Sequence, residues 1–484
     1  MGKKFYWLVV MIIVIVFMTS SFIYADESAI TVTLNQEEIH FDEAPPIISG
    51  NRTLVPFRRL AEAIGVQVGW IEEERQIIGV GDQTEMVMTL GSDQAIVNGS
   101  VYQMNIAPQI VEGRALIPLR DFSETFGVKV EYSNGHVAMF YEEPLESLDA
   151  NLSGFYTLGT GDRSSWTEIF GAAYPEVVSN PKVDMFNQVH LGWYEITDES
   201  GISTSGSQYG FRRPSGYERV LEELEFRNVD RNMMVFAHES QGALEQQLAD
   251  SNKRSQIIDE IVETIMHENY TGVNLDIEGL GLSRLADSPG DVKEDYVFFV
   301  AELRQRLEDE YQLILTVPPA NSVYGGYDYY RLGELADEVI VMAYDYHDRT
   351  LPSATAPIPL VEDGLQQLVE MVPAEKVVLG LRLPAVRYAE MTDGWRITHP
   401  YLHSVYDMIE ERELLMKWDE IAKVNYVAFQ DEEGHENIIF MESERSLIEK
   451  WRLVHRYELK GAALWRFGTI PDFVYEQLSS LIEG

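Results

Sequence analysis

The 484-residue sequence contains no cysteine and comparatively few basic residues. Without thiols the chain has no disulfide bonds, thiolate metal sites or lipid-modified cysteine. Only 37 lysines and arginines stand against 79 aspartates and glutamates, so the formal net charge is −42. This charge argues against nucleic acid as a partner, because phosphate binding needs clustered basic residues. It also disfavours docking to an anionic membrane and is typical of a solvated, soluble surface.

Only one hydrophobic run approaches the length of a membrane span, and it lies at the N-terminus. Two lysines precede an apolar stretch from Phe5 to Met18, and Ala25 offers a small residue at a cleavage point. This pattern predicts a secretory signal peptide over residues 1–25. An uncleaved membrane anchor is the alternative, since the apolar run is long for a signal peptide. Either way, the rest of the chain is expected outside the cytoplasm.

The first region after this segment contains an internal repeat with a spacing of 62 residues. Eight positions recur: Pro46, Arg52, Leu54, Pro56, Arg58, Gly65, Val66 and Val68 return as Pro108, Arg114, Leu116, Pro118, Arg120, Gly127, Val128 and Val130. Each copy predicts a polar turn, a segment ending in proline, a helix stopped by glycine and a short alternating strand. We therefore expect a small α+β domain with two repeats over residues 28–143.

The segments LVPFR at Leu54–Arg58 and LIPLR at Leu116–Arg120 give this region a family resemblance. With the segments that follow them, they resemble the stalk-like domain at the N-terminus of copper amine oxidases. The resemblance implies a non-catalytic spacer or a module associated with the cell wall. We expect no copper here, because His40 and His136 are the only histidines of the region.

A second domain is predicted over residues 151–484, after an acidic, unpatterned stretch from Glu143 to Ser153. Its strand-like runs alternate with amphipathic helices. The runs are Gly154–Leu158, Gln188–Trp193, Met233–Phe236, Gly272–Asp276, Leu313–Val317, Glu338–Ala343, Lys376–Leu381 and Gly461–Phe467. Eight strands alternating with helices favour a parallel (β/α)8 barrel.

The fourth of these strands carries three polar residues at alternate positions. Because successive side chains of a strand face opposite ways, Asn274, Asp276 and Glu278 are predicted to point into the barrel. The C-terminal ends of the strands are where barrel active sites form. A buried hydrogen-bond ladder is one alternative. A divalent-metal site is another, and no histidine or third acid stands near enough in sequence to favour it.

Four separated segments of this domain resemble glycoside hydrolase family 18. The family pattern D-x-x-D-x-D-x-E is matched by TGVNLDIE at 271–278, where the last two acids are Asp276 and Glu278. Met342–Asp345 is similar to the family's M-x-Y-D after strand six, and Ala463–Arg466 is similar to strand eight. Ala428–Leu447 resembles a small α+β insertion between strands seven and eight.

The resemblance implies an α/β protein with a TIM barrel and a retaining, substrate-assisted mechanism that uses neither a cofactor nor a metal. Glu278 is implied as the general acid. Asp276 is implied as the residue that orients the 2-acetamido group and stabilises the oxazolinium charge. The substrate-binding residues implied by the resemblance are Asn274, Met342, Tyr344, Asp345 and Trp465.

The sequence also departs from the family pattern. Thr271 and Asn274 replace the first two aspartates, and an asparagine there is familiar in bacterial members that act on peptidoglycan or spore cortex. In the seventh strand, Arg382, Arg387 and Tyr388 stand where aromatic and proline residues are usual. Thr271 stands at the entry of the fourth strand and is interpreted as structural, whereas the departures in the seventh strand concern the substrate subsites. Glu278 stays in place.

The expected function is hydrolysis of β-1,4-linked polysaccharide that contains N-acetylglucosamine, either peptidoglycan and spore cortex or chitin. A non-catalytic, chitinase-like lectin is the alternative, and the retained Glu278 favours the enzyme. The predicted partners are the polysaccharide and, through the N-terminal domain, the cell wall. Nucleic acid and, after signal cleavage, membrane are not expected partners, and the protein is predicted to be secreted.

Overall fold

The computed structural model describes residues 30–34, 37–41, 44–81, 84–111, 113–133, 135–141, 150–197, 201–205, 210–239, 242–282, 291–320, 323–392 and 394–483. The predicted signal peptide and residues 142–149 of the predicted boundary lie outside these ranges. The chain divides into two compact units, Met1–Pro144 and Leu145–Gly484. Within the described ranges, no helix has the length and apolar character needed to cross a membrane.

The N-terminal unit is rich in β-structure. Its strands are Thr31–Leu34, Glu37–Glu38, Ile47–Ser49, Arg52–Pro56, Gln67–Ile71, Gln76–Val80, Glu85–Thr89, Gln94–Val97, Ser100–Gln103, Gln109–Val111, Arg114–Pro118, Val128–Ser133 and His136–Tyr141, and its helices are Phe57–Ala63 and Leu119–Thr125. The two repeats meet where Arg52–Pro56 pairs antiparallel with Arg114–Pro118. The repeat therefore builds one shared core in this unit, in which Val55, Ile117 and Phe122 are fully buried.

The second unit is built on a closed barrel of eight parallel strands. These are β1 (Asn151–Tyr156), β2 (Gln188–Ile196), β3 (Asp230–His238), β4 (Gly272–Glu278), β5 (Gln312–Val317), β6 (Glu338–Val341), β7 (Val377–Arg382) and β8 (Gly461–Trp465). Neighbours in sequence pair in parallel, and β1 pairs with both β2 and β8, which closes the barrel. The predicted (β/α)8 fold is confirmed.

Helices cover the outside of the barrel. They are Ser165–Phe170, Tyr217–Phe226, Ala243–Ala249, Ser251–His267, Val292–Arg306, Tyr329–Leu335, Ile358–Val369, Glu444–Arg456 and Asp472–Glu483. The helix Ser251–His267 is an example of how the sequence starts a helix. The Asp250 side chain, just before the helix, accepts hydrogen bonds from the backbone amides of Asn252 and Lys253. Its buried stripe of Ile257, Ile261 and neighbouring residues packs into the core.

The insertion between β7 and β8 is larger than the sequence indicated. An antiparallel sheet of Val386–Met391, Gly394–Thr398, Lys417–Asp419, Val424–Gln430 and Glu436–Met441 stands there with the helix Leu402–Glu411. The sequence placed the insertion at Ala428–Leu447 and read Arg387 and Tyr388 as part of the seventh strand. In the structure both lie on the first strand of the insertion, which pairs with Glu436–Met441. Only Arg382 of that group belongs to β7.

The barrel strands present alternate faces to two environments. Val273, Leu275 and Ile277 belong to the core between strands and helices, as predicted. The opposite face of the barrel wall encloses a separate apolar cluster that includes Met234, Phe236 and Ile314 on β3 and β5. Glu278 ends β4 and Trp465 ends β8, so both lie at the C-terminal end of the barrel.

Candidate active site

A cavity of about 290 Å³ opens at the C-terminal end of the barrel. Its wall is formed by Phe155, Asp276, Glu278, Thr316, Pro318, Pro319, Tyr324, Met342, Tyr344, Asp345, Tyr346, Arg382 and Trp465. Six of the seven residues predicted from the sequence are in this wall. They come from β4, β8 and the segment after β6, which lie far apart in sequence. The closed barrel therefore brings separate motifs to one site.

The two acids of β4 are desolvated in this cavity. The pKa of Glu278 is raised to about 7, chiefly by burial and then by the negative charge of Asp345, while the positive charge of Arg382 opposes the rise. Asp276 is 2% exposed. Its burial, followed by repulsion from Glu278, raises the pKa of Asp276 well above the usual range of a carboxyl group. Glu278 can therefore hold a proton near neutral pH, as a general acid must.

The third polar residue of β4 lies deeper. Asn274 is fully buried, and its Oδ1 accepts a hydrogen bond of 2.8 Å from Thr316 Oγ1. Among the described residues its Nδ2 has no hydrogen-bond partner. Asn274 is not in the cavity wall, so the structure does not bring it together with the other predicted substrate-binding residues. At the start of the strand, Thr271 Oγ1 accepts a hydrogen bond from the Arg231 amide at 2.8 Å.

The segment after β6 carries Tyr344 and Asp345 into the cavity. Desolvation, followed by the charge of Asp276, raises the pKa of Tyr344 well above its ordinary value, so its hydroxyl remains a donor. Gly380 on β7 makes room for this ring, because a Cβ there would lie 3.0 Å from Tyr344 Cε1. Asp345 has a φ of 61°. Aspartate tolerates this left-handed conformation better than most residues, and such strain is concentrated at functional sites.

Trp465 ends β8 and offers an aromatic surface. The ring of Phe155 meets it edge-on, with centroids 5.1 Å apart and planes at 65°. The guanidinium of Arg466 lies 5.6 Å from the indole centroid. Aromatic packing of this kind fixes the orientation of the indole ring in the cavity wall.

The sequence interpretation did not find four aromatic and polar parts of this wall: Phe155, Thr316, Tyr324 and Tyr346. Phe155 and Thr316 could have been found from the alternation of β1 and β5. Tyr324 and Tyr346 lie in loops, where no periodicity marks them. Arg382 was noted as a departure from the family pattern, and the structure puts its Nε 2.9 Å from Asp345 Oδ1.

Metal ligands are a separate question. In the part of the chain that the structure describes, no group of three or more histidine, cysteine, aspartate or glutamate residues could hold a metal ion. The predicted absence of a metal and a cofactor stays a prediction.

We expect Glu278→Gln to stabilise the fold in alkaline solution. The pKa of Glu278 is about 7 in the folded protein against an ordinary value of 4.5, so ionisation disfavours the folded state. This destabilisation is absent below pH 4.5, grows between pH 4.5 and 7 and is complete above pH 7. Glutamine should therefore raise the free energy of unfolding by up to about 3 kcal/mol at pH 8 and change it little at pH 4. Urea unfolding at both pH values measures this, and an equal effect at both would contradict it.

Two family models match the chain, one within each of its two compact units. The family model described as Copper amine oxidase N-terminal domain matches residues 33–140. The family model described as Glycosyl hydrolases family 18 matches residues 197–469. Both resemblances drawn from the sequence are thereby confirmed.

Curated relatives match part of the chain at low identity. The Cortical fragment-lytic enzyme of Bacillus subtilis (strain 168) is 24% identical over 233 residues, which cover 46% of this chain and 52% of the relative. The Putative sporulation-specific glycosylase YdhD of the same organism is 23% identical over 231 residues, again 46% of this chain and 52% of the relative. The chain spans about half the length of these two relatives.

Solved structures share the fold. The spore cortex-lytic enzyme SleL of Bacillus megaterium QM B1551 has a TM-score of 0.57 at 18% identity, covering 72% of this chain and 78% of that one. A chitinase from Chromobacterium violaceum ATCC 12472 has a TM-score of 0.57 at 19% identity, covering 69% of this chain and 99% of that one. The family 18 model matches more than half of the sequence and covers the barrel from β3 to β8. The chain therefore belongs to the glycosyl hydrolases of family 18.

Proposed function

We propose that this protein is an exported glycosidase that cleaves β-1,4-linked polysaccharide containing N-acetylglucosamine, by substrate-assisted catalysis with retention. One observation carries the proposal: Glu278, with a pKa of about 7, shares a cavity with the buried Asp276 and with Trp465. A cortical fragment-lytic enzyme and a chitinase among the similar proteins support peptidoglycan, spore cortex or chitin as the polymer.

The chemistry needs one protein acid and one substrate nucleophile. Glu278 donates its proton to the glycosidic oxygen while the substrate's 2-acetamido oxygen attacks the anomeric carbon. Asp276 orients the acetamido N–H and stabilises the positive charge that develops on the oxazolinium ring. Tyr344 and Asp345 donate and accept hydrogen bonds around the same sugar, and Trp465 stacks beneath it. Water then opens the ring as Glu278 takes the proton back.

Export and attachment to the wall are part of the same proposal. The lysine-flanked apolar run at the N-terminus supports export, and the repeat domain supports retention at the wall as a non-catalytic module. A polymer outside the cell is a suitable substrate for an exported enzyme.

A non-catalytic lectin on the same barrel is the second candidate. The cavity with its stacking tryptophan would serve sugar binding equally well. The retained Glu278 and its raised pKa favour the enzyme, because a binding protein has no need of a proton donor held near pH 7.

Incubation of the purified protein with N-acetylglucosamine oligomers and with purified peptidoglycan tests the proposal, with mass analysis of the products. We expect new reducing ends at N-acetylglucosamine. Binding of either polymer without any cleavage would favour the lectin and contradict the enzyme.

A further inference from the structure

Beneath the cavity, the inside of the barrel holds a histidine among apolar side chains. Val189 and Leu191 belong to the core between strands and helices, so His190 between them faces the barrel interior. It is fully buried, and the centroid of its ring lies 4.8 Å from that of Phe155. In the described part of the chain, neither ring nitrogen has a hydrogen-bond partner. Buried polar groups are normally satisfied, so these nitrogens point to a bound ligand.

Three other side chains of the barrel interior have atoms in the same state. Asn274 Nδ2, Asp276 Oδ1 and Ser153 Oγ are buried and, within the described ranges, have no hydrogen-bond partner. Burial lowers the pKa of His190 to about 3, so its ring is neutral and offers one donor and one acceptor. Together the four side chains therefore supply both donors and acceptors.

The register of the strands places His190 and the polar face of β4 around one axis. His190 on β2 pairs with Asn232 on β3, and Asn232 pairs with Gly272 at the start of β4. In an eight-stranded parallel barrel, alternate strands share a layer of side chains, and the layers climb by about one residue per strand. Asn274, two residues beyond Gly272, therefore lies in the layer of His190. Asp276 occupies the next inward position of β4, above that layer.

The spacing along β4 fits a bridging water molecule. Alternate residues of a strand are about 6.6 Å apart, and two hydrogen bonds of about 2.8 Å through one water span most of that gap. The Thr316 hydroxyl donates to Asn274 Oδ1 at 2.8 Å, which leaves Nδ2 as the donor on the other side of the amide. Asp276 lines the cavity, yet its Oδ1 is enclosed. One carboxyl oxygen is thus left for the substrate and the other for the barrel interior.

We propose that the barrel axis beneath Asp276 is a binding site for ordered water, held by His190 and Asn274, and that this water donates a hydrogen bond to Asp276 Oδ1. His190 is then a positioning residue, because it is fully buried outside the cavity wall and acts through the water and Asp276. Its effect on the rate rests on the proposed function, whereas the water site does not.

The bridge matters most when charge develops in the reaction. Asp276 stabilises the oxazolinium ring as a carboxylate, and a hydrogen bond donated to a carboxylate favours its ionised form. The same bond fixes the direction of the carboxyl group. Loss of the donor should therefore slow the chemical step more than it weakens substrate binding.

A crystal structure of the unchanged protein, at a resolution that shows ordered water, tests the site directly. We expect a water molecule within about 3 Å of Asn274 Nδ2, of a His190 ring nitrogen and of Asp276 Oδ1. A direct hydrogen bond among the three side chains, or an axis without ordered water, would overturn the inference. This measurement decides the water site even where a variant does not fold.

Two variants of His190 separate a positioning role from a packing role. His190→Phe keeps a planar ring and removes both nitrogens, whereas His190→Gln keeps a donor and an acceptor. On N-acetylglucosamine oligomers, kcat of the phenylalanine variant should fall at least about tenfold with little change in KM, as befits a lost hydrogen bond to a charged group. The glutamine variant should recover most of that loss. An unchanged kcat in the phenylalanine variant, or an equal loss in both, would overturn the positioning role.

Trp451→Phe is the matched control. Trp451 Nε1 is also buried and, among the described residues, without a hydrogen-bond partner, but the helix Glu444–Arg456 carries it outside the barrel wall. Its variant removes one buried polar atom and should keep kcat per folded molecule. A comparable fall in this variant would assign the effect to any buried polar group and count against His190.

The outcomes separate the inference from the function. Cleavage by a protein whose barrel axis holds no ordered water would overturn the inference and leave the glycosidase intact. Absence of all cleavage by the unchanged protein would defeat the proposed function, while its crystal structure would still decide the water site.

Discussion

Glu278→Gln is expected to lose about 10²–10⁴-fold in kcat, because glutamine keeps the volume of the side chain and cannot donate a proton to the leaving oxygen. The pKa of Glu278, about 7, is the physical basis of this expectation, since the acid is protonated in a useful fraction of molecules at neutral pH. Sugar binding should be nearly unchanged. Initial rates on N-acetylglucosamine oligomers, with binding measured by calorimetry, test both parts.

Glu168→Gln is a matched control for this variant. Glu168 is also a buried carboxyl whose pKa burial raises to about 7, but it lies outside the cavity wall. Its Oε1 accepts a hydrogen bond from the Tyr475 hydroxyl at 2.5 Å, which gives it a structural role. We expect its variant to retain the rate per folded molecule. Substantial turnover by the Glu278 variant would instead assign the acid to another residue.

The barrel could be predicted from the sequence because its strands are buried on both faces. Strands in that environment appear as short, nearly continuous apolar runs between amphipathic helices. All eight predicted runs overlap the observed strands, and β4 differs from its prediction only by reaching Glu278. The motifs around Asp276 and Trp465 then fixed which end of the barrel holds the site.

The insertion after β7 could not be delimited in the same way. Val386–Met391 follows β7 closely, so Arg387 and Tyr388 looked like its continuation. What separates them is antiparallel pairing with Glu436–Met441, about fifty residues later in the chain. Strand pairing between segments so far apart in sequence depends on tertiary structure, and no local sequence pattern predicts it.

The depth at which each side chain lies in the barrel could also not be predicted from the sequence. Alternation placed Asn274 and Asp276 on the same face of β4, and both do face the barrel interior. The alternation of side chains along β4 does not predict that the cavity ends above Asn274, because the depth of the cavity depends on Thr316 and on the packing of neighbouring strands. The ion pair between Arg382 and Asp345 joins β7 to the segment after β6, and the sequence pattern could not predict it.

Asp276→Ala is expected to lower kcat about 10²–10³-fold with a much smaller effect on KM, comparable to removing one electrostatic contact of a transition state. In the free protein, burial raises the pKa of Asp276 well above its usual range. A positive charge that forms on the oxazolinium ring beside it favours the ionised carboxylate, so the interaction strengthens as the reaction proceeds. Asp276→Asn, which keeps the volume, should be similarly slow. Steady-state kinetics on N-acetylglucosamine oligomers give the two parameters.

The proposed substrate-assisted mechanism requires the substrate's acetamido group. Glucose-based β-1,4 polymers should not be cleaved, and de-acetylated chitosan should be cleaved only beside an acetylated residue in the reacting subsite. A thiazoline mimic of the bicyclic intermediate should inhibit, because it resembles what the cavity around Asp276 and Tyr344 stabilises. The product should retain its anomeric configuration, since two inversions occur at one carbon. Early-time NMR of the product anomer and a thiazoline inhibition curve test this prediction. Inverted product without inhibition would assign the attack to a water molecule. It would exclude substrate assistance even if Glu278 proved essential.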